Sequence, residues 1–183
     1  MHKNIQTIYQ ETIAFAALKH GNQKMPTGLP YVVHLSYVAM EVFMAHKEEP
    51  NFNIELAIQL ALLHDVLEDT PLSFKELEDT FGNIVATGVL ALTKNASLDK
   101  KDQMEDSLDR IVQQGKEVAI VKICDRITNL QKPPLKWDKE KIKKYHLQAV
   151  TIAQALGGEN SYLDNRIRDK IKAYTAFVLK TNI

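Results

Sequence analysis

Apolar residues recur along this chain at helical spacing almost from end to end. Ile5, Ile8, Ile13, Phe15, Ala16 and Leu18 follow the period of an amphipathic helix that stops at Gly21, which predicts a helix over Ile5–His20. Residues 21–30, Gly-Asn-Gln-Lys-Met-Pro-Thr-Gly-Leu-Pro, are the most glycine- and proline-rich stretch and read as a loop. Helical spacing returns over about 35–46 and again over about 54–67. Thr70-Pro71 interrupts it, and Ser73 with Glu76 then makes a capping box for a helix ending at Gly82. Further helices are predicted at about 84–93, 99–114, 117–130, 138–156 and 161–180, separated by Gly115, Pro133-Pro134 and Gly157-Gly158. Alternating segments such as Tyr31-Val32-Val33 are too short for strands and run into the next helix. No repeat, low-complexity segment or linker interrupts the pattern. It predicts an all-α fold, one compact domain of eight or nine helices spanning residues 1–183, with the C-terminal helix packed on the rest.

One place in this pattern carries chemistry. The apolar run Ala57-Ile58-Gln59-Leu60-Ala61-Leu62-Leu63 ends on His64-Asp65 and is followed by Val66-Leu67-Glu68-Asp69-Thr70. A run this apolar lies against a core, and carboxylates are rarely buried there without compensation. If the helix continues, His64 and Glu68 are four residues apart, as are Asp65 and Asp69, so all four project within one arc. A cation is expected in front of them, and a divalent metal supplies that charge more economically than several lysines. Other donors exist elsewhere in the chain. Asp125 sits in a largely apolar helix with Asn129 on the same face, four residues on. Its neighbour Arg126 points about 100° away, toward another helix. His34 opens the second helix, after the Gly28-Leu29-Pro30-Tyr31 turn. Together, two imidazoles and two carboxylates make a mixed N/O set suited to Mn²⁺, Fe²⁺ or Zn²⁺, and the absence of thiolates argues against a structural zinc site.

Composition narrows the class without choosing the function. Hydrophobic residues make up 45% and charged residues 25% of 183 positions, as in ordinary globular proteins. Net charge is zero, so nothing drives the chain globally toward nucleic acid or membrane. No apolar run reaches the length of a spanning helix, and Met1-His2-Lys3-Asn4 lacks a signal-peptide core. The one cysteine, Cys124, excludes an internal disulfide, fits a reducing cytoplasm and reads as a buried filler. His2, His20, His46 and His146 read as structural or surface residues. Oligomeric state leaves no trace in the pattern.

The ordered series His34…His64-Asp65…Asp125 resembles the HD superfamily of metal-dependent phosphohydrolases. The segments Gly28–His34, Ala61–Thr70, Phe81-Gly82, Leu92-Thr93-Lys94 and Lys122–Leu130 look like the hydrolase domain of the Rel/Spo alarmone enzymes. The chain is most similar to the stand-alone small alarmone hydrolases, over roughly residues 10–155. The resemblance implies removal of the 3′-pyrophosphate from guanosine tetra- or pentaphosphate, with Mn²⁺ as cofactor and a small nucleotide as partner. His34, His64, Asp65 and Asp125 are then the metal ligands. Glu68 takes a proton from the attacking water or orients it, and Asp69 assists. Carboxylates at a helix C-terminus oppose its dipole, which disfavours a merely structural pair.

For the substrate, the resemblance points to Lys24, Tyr31, Asn129, Lys141 and Tyr145. Lys24 stands where many relatives have arginine. Six lysines lie between 132 and 144 against Asp138 and Glu140. A solvated helix face accounts for most of them, and Lys141 with Tyr145 is singled out for the nucleotide pocket. Trp137 is expected to anchor its ring in the fold. Two positions depart from the family: Leu35 replaces the proline that commonly follows the first metal histidine, and Gln131 replaces a common arginine. The alternatives are hydrolysis of another nucleotide, an adenosine alarmone or NADPH, and a metal-binding regulatory module without catalysis.

Overall fold

The structure is a computed structural model describing residues 4–180, so His2 lies outside the described residues. It is all-helical: α1 (Ile5–His20), α2 (Tyr31–Glu48), α3 (Ile54–Leu63), α4 (Val66–Asp69), α5 (Phe74–Phe81), α6 (Asn83–Leu92), α7 (Gln103–Gln114), α8 (Lys116–Asn129), α9 (Lys139–Leu156) and α10 (Ser161–Lys180). Nine of these are full helices and α4 is a single turn. No strand occurs among the described residues; the loop before α2 carries one isolated bridge between Lys24 and Pro30.

Short polar side chains start several helices. Asn4 caps α1 by accepting from the Thr7 amide, and Asn53 caps α3 by accepting from Glu55 and Leu56. Both halves of the Ser73/Glu76 capping box form at α5. Asp138 accepts from the Lys141 amide at the start of α9.

Helices α2, α3 and α8 pack on one another, and α8 is also flanked by α6, α7, α9 and α10. That placement accounts for its apolar sequence: Val118–Thr128 is buried almost continuously, the slightly exposed Lys122 being the exception. The core joins Leu35, Val38 and Val42 of α2 to Ile58, Leu62 and Leu63 of α3 and Ile120, Ile123, Cys124 and Ile127 of α8. A smaller apolar cluster holds Leu130, Ile142, Ala149 and Tyr174, with Trp137 and Tyr145 packed against it, so Trp137 anchors its ring as expected.

Two boundaries differ from the sequence pattern in ways that matter for the site. Helix α2 begins at Tyr31, four residues early, because Pro30 presets the entry and the Tyr31 amide is taken by the Gln23 carbonyl at 3.0 Å. His34 therefore stands within the first turn and does not open the helix. The expected helix over 54–67 is split. His64 Nδ1 bonds the Ala61 carbonyl at 2.8 Å, the acceptor that a continuing helix offers to the amide of residue 65. Asp65 adopts φ −107° and ψ 0°, and the chain restarts as α4. His64 and Glu68 are thus not four apart on one continuous helix.

Candidate functional site

The break after α3 swings His64 and Asp65 toward the face where α2 and α8 deliver His34 and Asp125. His34 Nε2 and His64 Nε2 point at each other 3.3 Å apart. Asp125 Oδ1 lies 3.3 Å from His34 Nε2 and 3.8 Å from His64 Nε2. Asp65 Oδ2 lies 3.0 Å from His64 Nε2 and 3.9 Å from His34 Nε2. His34, His64 and Asp125 each bring one donor atom to within 4.8 Å of the other two. Both histidines and Asp125 are buried.

These separations suit a common cation. Donors about 2.1 Å from an ion stand roughly 3.0–3.4 Å apart along the edges of an octahedron or tetrahedron. The surroundings also prepare the donors. The Nδ1–H of His64 is directed to the Ala61 carbonyl, which leaves Nε2 as the nitrogen that faces the cluster and can bind an ion once its proton is lost. The Asn129 amide donates to Asp125 Oδ1, and Lys122 Nζ stands 3.8 Å from Asp125 Oδ2. The Tyr31 hydroxyl donates to Asp65 Oδ2. Two imidazoles and two carboxylates so oriented fit a divalent metal ion.

The electrostatics describe the same cluster without an ion. Burial alone would lower the His64 pKa, but the Asp65 and Asp125 carboxylates outweigh it and push it up to about 9. Burial would raise Asp65 and Asp125; their contacts with His64, and for Asp125 with His34 and Lys122, hold both well below the usual carboxylate range. Burial, then the Asp65 charge, raise the Tyr31 hydroxyl, so it remains a donor.

The cluster opens on a cavity of about 540 Å³, within the range of small-ligand sites. Asp65, Glu68, Asp69 and Asp125 line it, facing the cations Lys94, Lys100, Lys122 and Arg126. Of the five residues assigned to the substrate, Tyr31, Asn129 and Tyr145 line this cavity. Lys24 and Lys141 do not. Lys24 sits in the bridged loop, and Lys141 Nζ lies over the Trp137 ring, 4.7 Å from its centroid. Arg126 reaches another helix, though through stacking: its guanidinium lies 4.3 Å from the Tyr145 centroid, while Nε and Nη1 have no hydrogen-bond partner. Burial, partly offset by Arg126, pushes the Tyr145 hydroxyl up to about 12.

Sequence reading missed several contributors. Gln23 joins two of the expected features, bonding His20 Nδ1 at 2.7 Å and donating to Asp69 Oδ2 at 2.8 Å; nothing in its loop distinguishes it beforehand. His20 itself is buried, with its ring 4.8 Å from Tyr31. Lys94 bonds Glu68 twice. Lys100 lines the cavity. Lys122 was the most readable, as the one lysine inside the apolar stretch of α8. His46 packs on Phe52, and His146 bonds Thr175.

The HD domain family matches residues 33–130, which include every candidate metal ligand. A zebrafish (Danio rerio) protein, guanosine-3′,5′-bis(diphosphate) 3′-pyrophosphohydrolase MESH1, is 32% identical over 92% of this chain and 94% of its own. The Drosophila melanogaster MESH1 protein is 29% identical over 87% of this chain and 90% of its own. The solved structure of a metazoan orthologue of SpoT, described as hydrolysing ppGpp and acting in starvation responses, superposes with a TM-score of 0.78 at 27% identity, covering 94% of this chain and 97% of that one. The chain belongs to the HD domain family of all-α proteins. MESH1 proteins are among its relatives over nearly full length.

Proposed function

We propose that this protein hydrolyses the 3′-pyrophosphate of guanosine tetra- or pentaphosphate, giving pyrophosphate and GDP or GTP. The observation that carries this reading is the convergence of two imidazole nitrogens and two carboxylates at one side of a cavity that also presents Glu68, Asp69 and four cations. The activity for which the relatives are named supports the choice of substrate.

His34, His64, Asp65 and Asp125 would hold one divalent ion, taken here as Mn²⁺. When bound, such an ion lowers the pKa of water and offsets charge on phosphoryl oxygens. The remaining steps fall to the chain's own side chains. Glu68 accepts the proton of the attacking water, and Asp69, held by Gln23, orients that water. Water adds to phosphorus as the bond to the ribose 3′ oxygen breaks; that oxygen takes up a proton from solvent, and Glu68 gives its own back to solvent. The anionic ends of the substrate meet Lys100, Lys122 and Arg126, while Lys94 stays bonded to Glu68. Tyr31 and Tyr145 offer ring faces to the nucleoside, because the Tyr31 hydroxyl is spent on Asp65. Asn129 both borders the substrate and orients Asp125. The fully buried lone cysteine and the absence of a membrane-spanning helix among the described residues fit work in the cytoplasm.

The test is turnover by purified, Mn²⁺-loaded protein of guanosine alarmones, adenosine alarmones and NADPH, scored for pyrophosphate against orthophosphate. Pyrophosphate release from the guanosine compounds is expected. Preference for an adenosine alarmone or NADPH would reassign the substrate. No turnover of any nucleotide by fully loaded protein would leave a metal-binding module.

A further inference from the structure

Glu68 is held in a way that neither its position on α4 nor the metal cluster requires. Both of its carboxylate oxygens are engaged by a single residue: Lys94 Nζ bonds Oε1 at 2.5 Å, and the Lys94 backbone N–H bonds Oε2 at 3.1 Å. A carboxylate fixed at both oxygens cannot rotate freely about its terminal torsion, which is otherwise broad. Lys94 lies just beyond the end of α6, where a helix normally leaves carbonyls unsatisfied and frays. This end is tied down by Arg110, from α7. Arg110 Nη1 donates to the carbonyls of Leu90 at 2.6 Å and Ala91 at 3.1 Å, and Nη2 donates to that of Thr93 at 2.9 Å. Its own fork is set by Asp106, which accepts from Nε at 3.0 Å and from Nη2 at 2.7 Å. The Thr93 carbonyl held by Arg110 and the Lys94 N–H that holds Glu68 belong to one planar peptide unit. A shift of one moves the other.

We propose that Lys94 is a positioning residue for Glu68, and that Arg110 is a remote positioning residue that sets Lys94 by clamping the end of α6. The inference rests on Glu68 being the proton acceptor of the proposed hydrolysis. It differs from a direct grip on substrate, for which the Lys94 ammonium would act on phosphate regardless of Glu68. It also differs from plain stabilisation, since the clamp ends on a side chain in the cavity.

The experiment is a double-mutant cycle on the Mn²⁺-loaded full chain, with kcat and KM measured separately. Lys94→Met and Arg110→Lys should each lower kcat by ~10-fold, the size expected when a reacting group is misplaced, while leaving KM within about twofold. Arg110→Lys keeps the charge but loses the fork that spans three carbonyls. In a Glu68→Gln background the same two substitutions should cost less than about twofold, because what they position is gone. Lys94→Arg should recover part of the kcat lost in Lys94→Met. Should Arg110→Lys fail to fold, Asp106→Asn, which loosens the same fork, takes its place. Unchanged kcat in Lys94→Met and Arg110→Lys, with Glu68→Gln itself inactive, would overturn the inference and leave the proposed base intact. Equal losses in both backgrounds, or a loss expressed in KM, would overturn it in favour of a direct phosphate contact. Near-native turnover in Glu68→Gln would overturn the base assignment and the inference with it.

Discussion

Replacing Asp125 by Asn removes one negative charge from the donor cluster and almost nothing else, so it isolates what the cluster is for. The carboxylate lies 3.3 Å from His34 Nε2 and 3.8 Å from His64 Nε2. In the native chain, free Mn²⁺ at about 100 times its dissociation constant should add ~2.7 kcal/mol to stability by linkage. For a chain of this length each kcal/mol moves the melting temperature by ~2–4 °C, so loading should raise it by roughly 5–11 °C. Losing an outer-shell partner of a metal can already weaken affinity by ~100-fold, and Asp125 is proposed as a direct ligand. The same ion concentration then stands near one dissociation constant or below in Asp125→Asn, worth ~0.4 kcal/mol at most and about 1 °C. The assay is thermal melting of chelator-stripped protein with and without Mn²⁺, each variant compared with itself. That comparison removes any effect of the amide on the stripped fold. A wild-type shift of the same size in Asp125→Asn, or no wild-type shift when elemental analysis finds bound ion, would refute the reasoning.

Three further outcomes are expected. An ion must displace the proton that His64 retains up to about 9, so Mn²⁺ affinity should rise by about tenfold per pH unit below that value and level off above it, which titration calorimetry at several pH values can read. Gly88→Ala should destabilise by ~1–3 kcal/mol despite alanine's better helix propensity, because its Cβ would meet Leu60 Cδ2 at 2.6 Å in a fully buried contact; chemical denaturation with an unchanged m-value would show it. Since Lys100 lines the cavity and Lys141 lies over Trp137, Lys100→Ala should raise KM for a guanosine alarmone several-fold more than Lys141→Ala, an ion contact being worth ~1–3 kcal/mol. The reverse order would return the phosphate contact to α9.

Helix positions were legible because each is set by local information: spacing, an Asn or Ser cap, a glycine stop. The donor set was legible as well, since histidines and aspartates inside apolar runs stand out. What escaped is what depends on competition or on long-range partners. The break after Leu63 arises because an imidazole outbids a backbone amide for the Ala61 carbonyl, and no periodicity encodes that contest. Gln23 and Lys94 reach the proposed catalytic carboxylates, partners 46 and 26 residues away. Lys24 and Lys141 were chosen by position in a family pattern and by local charge, and neither says where a long flexible side chain comes to rest.

Cys124 turns this arrangement into a built-in gauge. Its thiol is fully buried, and burial pushes its pKa well above that of a free cysteine, so no reagent reaches it while α8 stays packed. It is also the residue immediately before Asp125. The rate at which a thiol reagent labels this protein therefore clocks the opening of the helix that supplies a metal ligand, with no engineered probe and no second cysteine to confuse the signal. Slower labelling on adding an ion would measure, in units of time, how firmly the cation fastens the centre of the fold.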